Sequence, residues 1–196
     1  MLRSGEVRDL ITLGRKAILS VLEGKDLEVD DSLKERFKEK KGVFVTLLTY
    51  EEKKLRGCVG IPYPVYPLWR AVIEASIGSA FRDPRFEPLK REELDRVILE
   101  LSLLTQPEEI LSDRVLEEIQ VGRDGLIVEK GRLKGLLLPQ VPVREGWDVE
   151  EFLRHTCLKA GMDPNCWREK DVRIYRFTTE VWEEVRPWGE VRRVNL

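Results

Sequence analysis

Residues 55–60 read Leu-Arg-Gly-Cys-Val-Gly, and Arg56 and Cys58 are the two side chains there with chemistry to offer. In an extended strand, side chains alternate between faces, so a spacing of two places guanidinium and thiol on one side. A cation beside a thiol favours the thiolate, which is the nucleophilic form. Gly57 and Gly60 lack side chains, which lets a ligand or another backbone come close. The stretch therefore offers an activated thiol in a glycine-lined notch. Arg56 would orient an anionic group, and Cys58 is the candidate nucleophile or covalent anchor. The same letters also describe a buried cysteine in a hairpin with glycines at a bulge, because free cysteine is among the most buried residue types.

A nucleophilic cysteine usually works with a base. The chain holds one histidine, His155. On its helix Phe152, Leu153, Cys157 and Ala160 share an apolar face, and His155 projects away from it, which disfavours a Cys-His dyad and a histidine-based metal site. A second segment, FRDPRFEPL at 81–89, brackets the turn-forming Asp83-Pro84 with Arg82 and Arg85. Two arginines on one rigid turn can fork onto a phosphate or carboxylate, or pair internally with Asp83 or Glu87. Gln140 lies between Pro139 and Pro142 and can read a polar ligand or satisfy loop backbone groups. Tyr63, Tyr66 and Trp69, near the prolines of 62–67, can stack a base or clamp the loop. No phosphate-binding glycine loop, dinucleotide fingerprint, zinc motif or radical-cofactor cysteine triplet is present, so no cofactor or metal is expected.

The elements that must position these residues follow from periodicity. Val7, Leu10, Ile11, Gly14, Ile18, Val21 and Leu22 recur at helical spacing after Ser4 as a cap, with Arg8, Arg15 and Lys16 on the other side. Ser32 and Glu35 form a capping-box pattern. Residues 42–50 and 55–59 predict a hairpin, and a helix follows over 68–81. A brief helix starts at Arg91, and a strand over 97–105 turns Val97, Leu99, Leu101 and Leu103 one way and Glu100 and Ser102 the other. The second half repeats the plan. Residues 125–130 and 133–139 form a hairpin, then come a proline loop, a helix capped by Asp148 and Glu151 and ended by Gly161, and a strand over 172–181. KKLRGCVGIPYP and GRLKGLLLPQVP align as Leu, basic residue, Gly, apolar stretch and proline loop. This reads as a duplicated ββαβ unit, giving an α+β fold with a mostly antiparallel sheet flanked by helices. The 196 residues show no linker composition, so one compact domain with two lobes is expected.

The chain is 42% hydrophobic and 36% charged, with two asparagines and three glutamines. That charge-over-amide bias is a hyperthermophile signature. A net charge of −2 and a pI near 5.7 supply no global positive field for nucleic acid. No apolar run approaches the roughly 20 residues of a membrane span, and the N-terminus does not read as a signal peptide. Three cysteines without metal spacing suit a reducing cytoplasm, while a Cys157–Cys166 disulfide is left open.

GVFVTL, LRGCVG, the proline loop, AFRDPRFEPL, LELSLLT, VGRDGLIVEKG, GLLLPQVPV, GWDVEEFL and KAGMDPNCW follow one another as in the AMMECR domain family. The resemblance runs from about residue 5 to about residue 185, and the chain looks like one of the compact archaeal stand-alone members. It implies an α+β fold with an internal duplication and a role for the LRGC motif, here Leu55, Arg56, Gly57 and Cys58. It also implies association with Memo-like and radical-SAM proteins around a shared substrate. Whether the domain is an enzyme or an enzyme subunit, or a non-catalytic ligand-, protein- or RNA-binding module, the resemblance leaves open. The site read from these segments comprises Cys58 with Arg56, Gly57, Gly60, Arg82, Arg85 and Gln140.

Overall fold

The structure, a computed structural model, describes residues 2–111 and 114–194. The order of elements begins α1 (Ser4–Glu23), α2 (Asp31–Arg36), β1 (Gly42–Thr49), β2 (Leu55–Ile61), α3 (Leu68–Phe81), α4 (Arg91–Leu94), β3 (Val97–Leu104) and β4 (Glu108–Ile110). It continues α5 (Val115–Glu118), β5 (Asp124–Lys130), β6 (Leu133–Leu137), α6 (Gln140–Glu145), α7 (Val149–Lys159), a 3-10 turn (Cys166–Arg168), β7 (Arg173–Glu184) and β8 (Val191–Val194). Two units divide the chain: one runs to Leu104 and resumes at Glu180, and the other is Thr105–Thr179.

In the first unit the strands lie in the order β2-β1-β3, followed by the end of β7 and then β8. The β1–β2, β1–β3 and β7–β8 ladders are antiparallel. Alternation sends Val43, Val45, Leu47, Val97, Leu99, Leu101 and Leu103 to one face, where they bury against Leu10, Ile11 and Ile18 of α1 and Ala71, Val72 and Ala75 of α3. Each such aliphatic side chain contributes about 1.5–3 kcal/mol.

The helix starts differ from the sequence reading. Ser4 is already helical, and the Arg3 N–H donates to Glu6 Oε2 at 2.8 Å. Asp30 caps α2 by accepting from the Ser32 N–H at 2.7 Å, so Ser32 is inside the first turn. Arg15, expected on the solvent side, is fully buried. Its guanidinium donates to both carboxylate oxygens of Glu184 at 2.6 Å and to the carbonyls of Leu94 and Val97 at 2.9 and 2.5 Å. A charge tolerates burial only when each donor finds an acceptor, and a sequence does not show acceptors 79 to 169 residues away.

In the second unit the order is β6-β5-β7, with antiparallel β5–β6 and β5–β7 ladders, and β4 pairs with β7. Leu126, Val128, Phe152, Leu153, Trp167 and Ile174 form its core. Asp148 and Glu151 make the expected reciprocal cap, with the Glu151 N–H on Asp148 Oδ1 at 2.8 Å and the Asp148 N–H on Glu151 Oε2 at 3.1 Å. The expected proline loop contains α6, because Pro142 falls in the first turn of that helix, where its missing donor costs nothing. Cys157 and Cys166 form a disulfide within this core, with Cα atoms 6.0 Å apart.

The fold is thus α+β, and the duplication is real in topology: β1-β2-α3-β3 and β5-β6-α7-β7 share the same strand order, with the first strand in the middle. The two Leu-basic-Gly stretches occupy equivalent places. A Cβ on Gly57 would lie 2.1 Å from the Ser79 carbonyl oxygen of α3, and one on Gly135 would lie 2.4 Å from the Thr156 carbonyl oxygen of α7. In each copy, glycine lets the helix backbone touch the strand.

Candidate functional site

The β1–β2 register pairs Leu47 with Gly57 and then Leu48 with Leu55. Arg56 is the extra residue of a bulge, and a bulge re-aims its side chain. Arg56 accordingly leaves the thiol and turns to α4. Its Nε and Nη2 donate to Glu93 at 2.8 and 3.0 Å, and Nη2 also reaches the Glu87 carbonyl at 3.0 Å. This ion pair holds the Glu93 carboxyl below its ordinary range. Arg56 also borders a surface groove of about 610 Å³ whose other walls include Tyr50, Glu52, Glu93 and Asp95.

Gly57 and Gly60 leave no room for a ligand where their side chains would be. The Ser79 carbonyl fills the first space, and the Phe44 ring, 2.2 Å from an added Cβ, fills the second.

A different arginine stands near Cys58. Asp83, 5% exposed, accepts the Cys58 N–H at 2.8 Å and the Arg85 guanidinium at 2.9 Å from Nε and 2.7 Å from Nη2. One carboxylate thus ties the Asp-Pro turn to β2 and fixes the half-exposed Arg85 beside the thiol. Arg85, with the bonded Cys58 amide, keeps the Asp83 carboxyl well below the usual carboxylate range. Phe86 lies under both guanidinium groups, with Arg56 and Arg85 carbons 5.8 and 5.6 Å from its ring centroid. Arg82 points elsewhere and is 3.8 Å from Glu74.

Cys58 is half-buried. Burial pushes its thiol up, and the Thr46 hydroxyl and Arg85 offset this only in part. Burial thus works against the expected thiolate, and the cation near the thiol is Arg85 rather than Arg56. Cys58 faces Thr46 across the ladder, and Thr46 faces Glu100 on the next strand. Thr46 Oγ1 is 3.4 Å from Cys58 Sγ. The Glu100 carboxyl is pushed up by burial and by the charge of Glu183. Thr46, Glu93 and Glu100 escaped the sequence reading of the site, whereas Asp83 was there as a turn former and as an internal partner for the arginines, the pairing that Arg85 makes. For Thr46 and Glu100 the signal was a polar residue at an alternate position of an otherwise apolar strand.

Gln140 opens α6 in the second unit, and its Oε1 is buried without a hydrogen-bond partner among the described residues. His155 stacks on Trp147 with ring centroids 3.8 Å apart. Tyr66 and Trp69 pack against the first unit's core, and Arg70 lies over the Tyr66 ring, so this part of the loop is clamped. Among the described residues, no group of three or more histidine, cysteine, aspartate or glutamate side chains could hold a metal ion, and no helix is long and apolar enough to cross a membrane.

The AMMECR1 family model matches residues 11–182. A protein of Aquifex aeolicus is 52% identical over 193 residues, spanning 97% of this chain and 99% of its own. One of Methanocaldococcus jannaschii is 51% identical over 189 residues, covering 95% and 94%. The crystal structure of an uncharacterized protein from Pyrococcus horikoshii superposes with a TM-score of 0.90 at 48% identity, over 100% of this chain and 99% of that one.

Proposed function

This chain belongs to the AMMECR1 family, and from that premise we propose that it binds a small anionic ligand at the edge where the Asp-Pro turn meets β2. The observation that carries this reading is the Asp83 clamp, which holds Arg85 beside Cys58. Asp83 takes one edge of the guanidinium. Nη1 has no partner among the described residues, which leaves it to a phosphate or carboxylate. Arg82, on the same turn, faces Glu74 and takes no part in this reading, and the thiol is a polar neighbour of the bound group. Gln140 enters the reading only as a second polar group in the other unit.

An RNA would draw on the cations at the start of β2, and these are already paired, Lys53 with Glu183 at 3.0 Å, Lys54 with Glu52 at 2.8 Å and Arg56 with Glu93 at 2.8 Å. Those pairs favour a small ligand over a polyanion. Memo-like and radical-SAM proteins enter this reading as the partners with which the ligand would be shared. Calorimetric titration with inorganic phosphate, a nucleoside monophosphate and a dicarboxylate tests it. At least one should bind, and Arg85→Ala should weaken it tenfold or more while Arg132→Ala, on the β5–β6 turn of the other unit, leaves it unchanged. Equal binding by Arg85→Ala, or no binding of any of the three, overturns it.

A further inference from the structure

The stretch VGRDG, residues 121–125, carries chemistry that the β2 site does not use. Its Arg123 and Asp124 line a surface pocket of about 300 Å³ whose walls all belong to the second unit. We propose that this pocket binds a free α-amino acid, with its carboxylate on Arg123 and Arg176 and its ammonium on Glu108. The pocket is independent of the anion site at β2, and either can fail without the other.

Three strands build it. Side chains two apart on a strand share a face, so Arg176 and Thr178 of β7 point the same way. The register sets Glu108 of β4 opposite Arg176 and Asp124 of β5 opposite Thr178. Thr105, ahead of β4, adds a second hydroxyl and accepts the Thr178 N–H at 2.9 Å. Asp124, 1% exposed, fixes Arg123 by accepting from its Nε at 2.8 Å and its Nη2 at 2.6 Å. The Gln120 N–H also donates to Asp124, at 2.8 Å, so both oxygens of this carboxylate are engaged.

Two features suit a zwitterion. The guanidinium groups converge, since Arg123 Nη2 and Arg176 Nη1 donate to the same Glu118 carbonyl at 3.3 and 3.2 Å. Like charges brought to one acceptor repel, and an oxyanion between them relieves that repulsion. Arg123 Nη1 has no partner among the described residues. The second feature is the loose hold of Arg176 on its own carboxylates. Glu108 and Glu118 oxygens are each 3.5 Å away, beyond the roughly 2.7–2.9 Å of a good charge-assisted bond. Glu108 is 72% exposed and pairs with nothing else among the described residues. A simple anion in the pocket meets repulsion from Glu108, and a simple cation meets repulsion from the arginines. A carboxylate with an ammonium on the adjacent carbon satisfies both walls, and the threonine hydroxyls can donate to its oxygens.

NMR titration of isotope-labelled protein reads both binding and its place. Alanine, glutamate and lysine, which share only the amino-acid head, are compared with acetate and methylamine. At least one amino acid should shift the Arg123 and Thr178 amides and bind about tenfold more tightly than acetate or methylamine. Glu108→Gln should weaken that amino acid about tenfold while acetate binds equally or more tightly. Arg176→Gln should weaken both. Arg85→Ala should change neither, which separates this pocket from the β2 site. Should Arg176→Gln fail to fold, Glu108→Gln, at an exposed side chain, decides alone. Amides unmoved by every amino acid, acetate binding as tight as the amino acids, or an unchanged amino-acid affinity in Glu108→Gln would each overturn the assignment.

Discussion

At the scale of the residue, the site turns on which cation stands near Cys58. Period-two alternation nominated Arg56, but the bulge removes Arg56 from the alternation and Glu93 engages it. Arg85 takes the place because Asp83 binds it and the Cys58 amide together. The Asp83 carboxyl titrates below its unfolded value of 3.8. Its contribution to stability is therefore complete above about pH 4 and is lost as pH falls through the lower folded value. Asp83→Asn should melt lower than wild type at pH 7, with the gap closing below about pH 4 in calorimetric scans. A gap that stays constant to pH 2.5 would show that the ionised carboxylate is not what stabilises the turn. The anionic-ligand experiment belongs to this same scale, since it hangs on one side chain.

At the scale of the element, the repeated unit explains why Leu-basic-Gly recurs. Helix α3 lies against β2 at Gly57 as α7 lies against β6 at Gly135, and backbone oxygens occupy the space of the missing side chains. Both contacts involve helix residues whose hydroxyls return to the carbonyl four residues earlier, Ser79 to Ala75 at 2.8 Å and Thr156 to Phe152 at 2.7 Å. A side chain there must push a helix off its strand. Gly57→Ala and Gly135→Ala should each destabilise by about 3 kcal/mol in denaturant titrations. Gly5→Ala, with nothing within 4 Å, should be neutral or stabilise by up to about 1 kcal/mol. Similar values for all three would remove the close-packing explanation of the motif glycines. The elements themselves were largely legible. Residues 68–81 form α3 and residues 97–104 form β3 with the expected faces, because strong periodicity reports burial. The short β4, β8 and α5 were not, since three or four residues carry no period to read.

At the scale of the molecule, basic and acidic side chains nearly balance, and they pair locally in surface ion pairs that add little individually. The stronger constraints are internal: the buried Arg15–Glu184 pair in the first unit and the Cys157–Cys166 bridge in the second. The bridge spans nine residues of sequence. Closing so short a loop in the unfolded chain stabilises by about 2–3 kcal/mol. The double variant Cys157→Ala, Cys166→Ala should lose about that much in denaturant titration, and Cys58→Ala, with no bridge to break, should lose less. Equal losses would mean that the bridge does not constrain the unfolded chain.

The sequence by itself determined the family, the α+β class, the ββαβ repeat and the core faces. These are set by local periodicity and by motifs that neighbouring residues complete. Only the tertiary structure decided the site. It placed Glu93 on Arg56, Arg85 beside Cys58 and Glu100 two strands away in the same row. The reason is physical: strand register, a one-residue bulge and a buried carboxylate join groups 25 to 42 residues apart, and no local pattern encodes which of several arginines or glutamates will arrive.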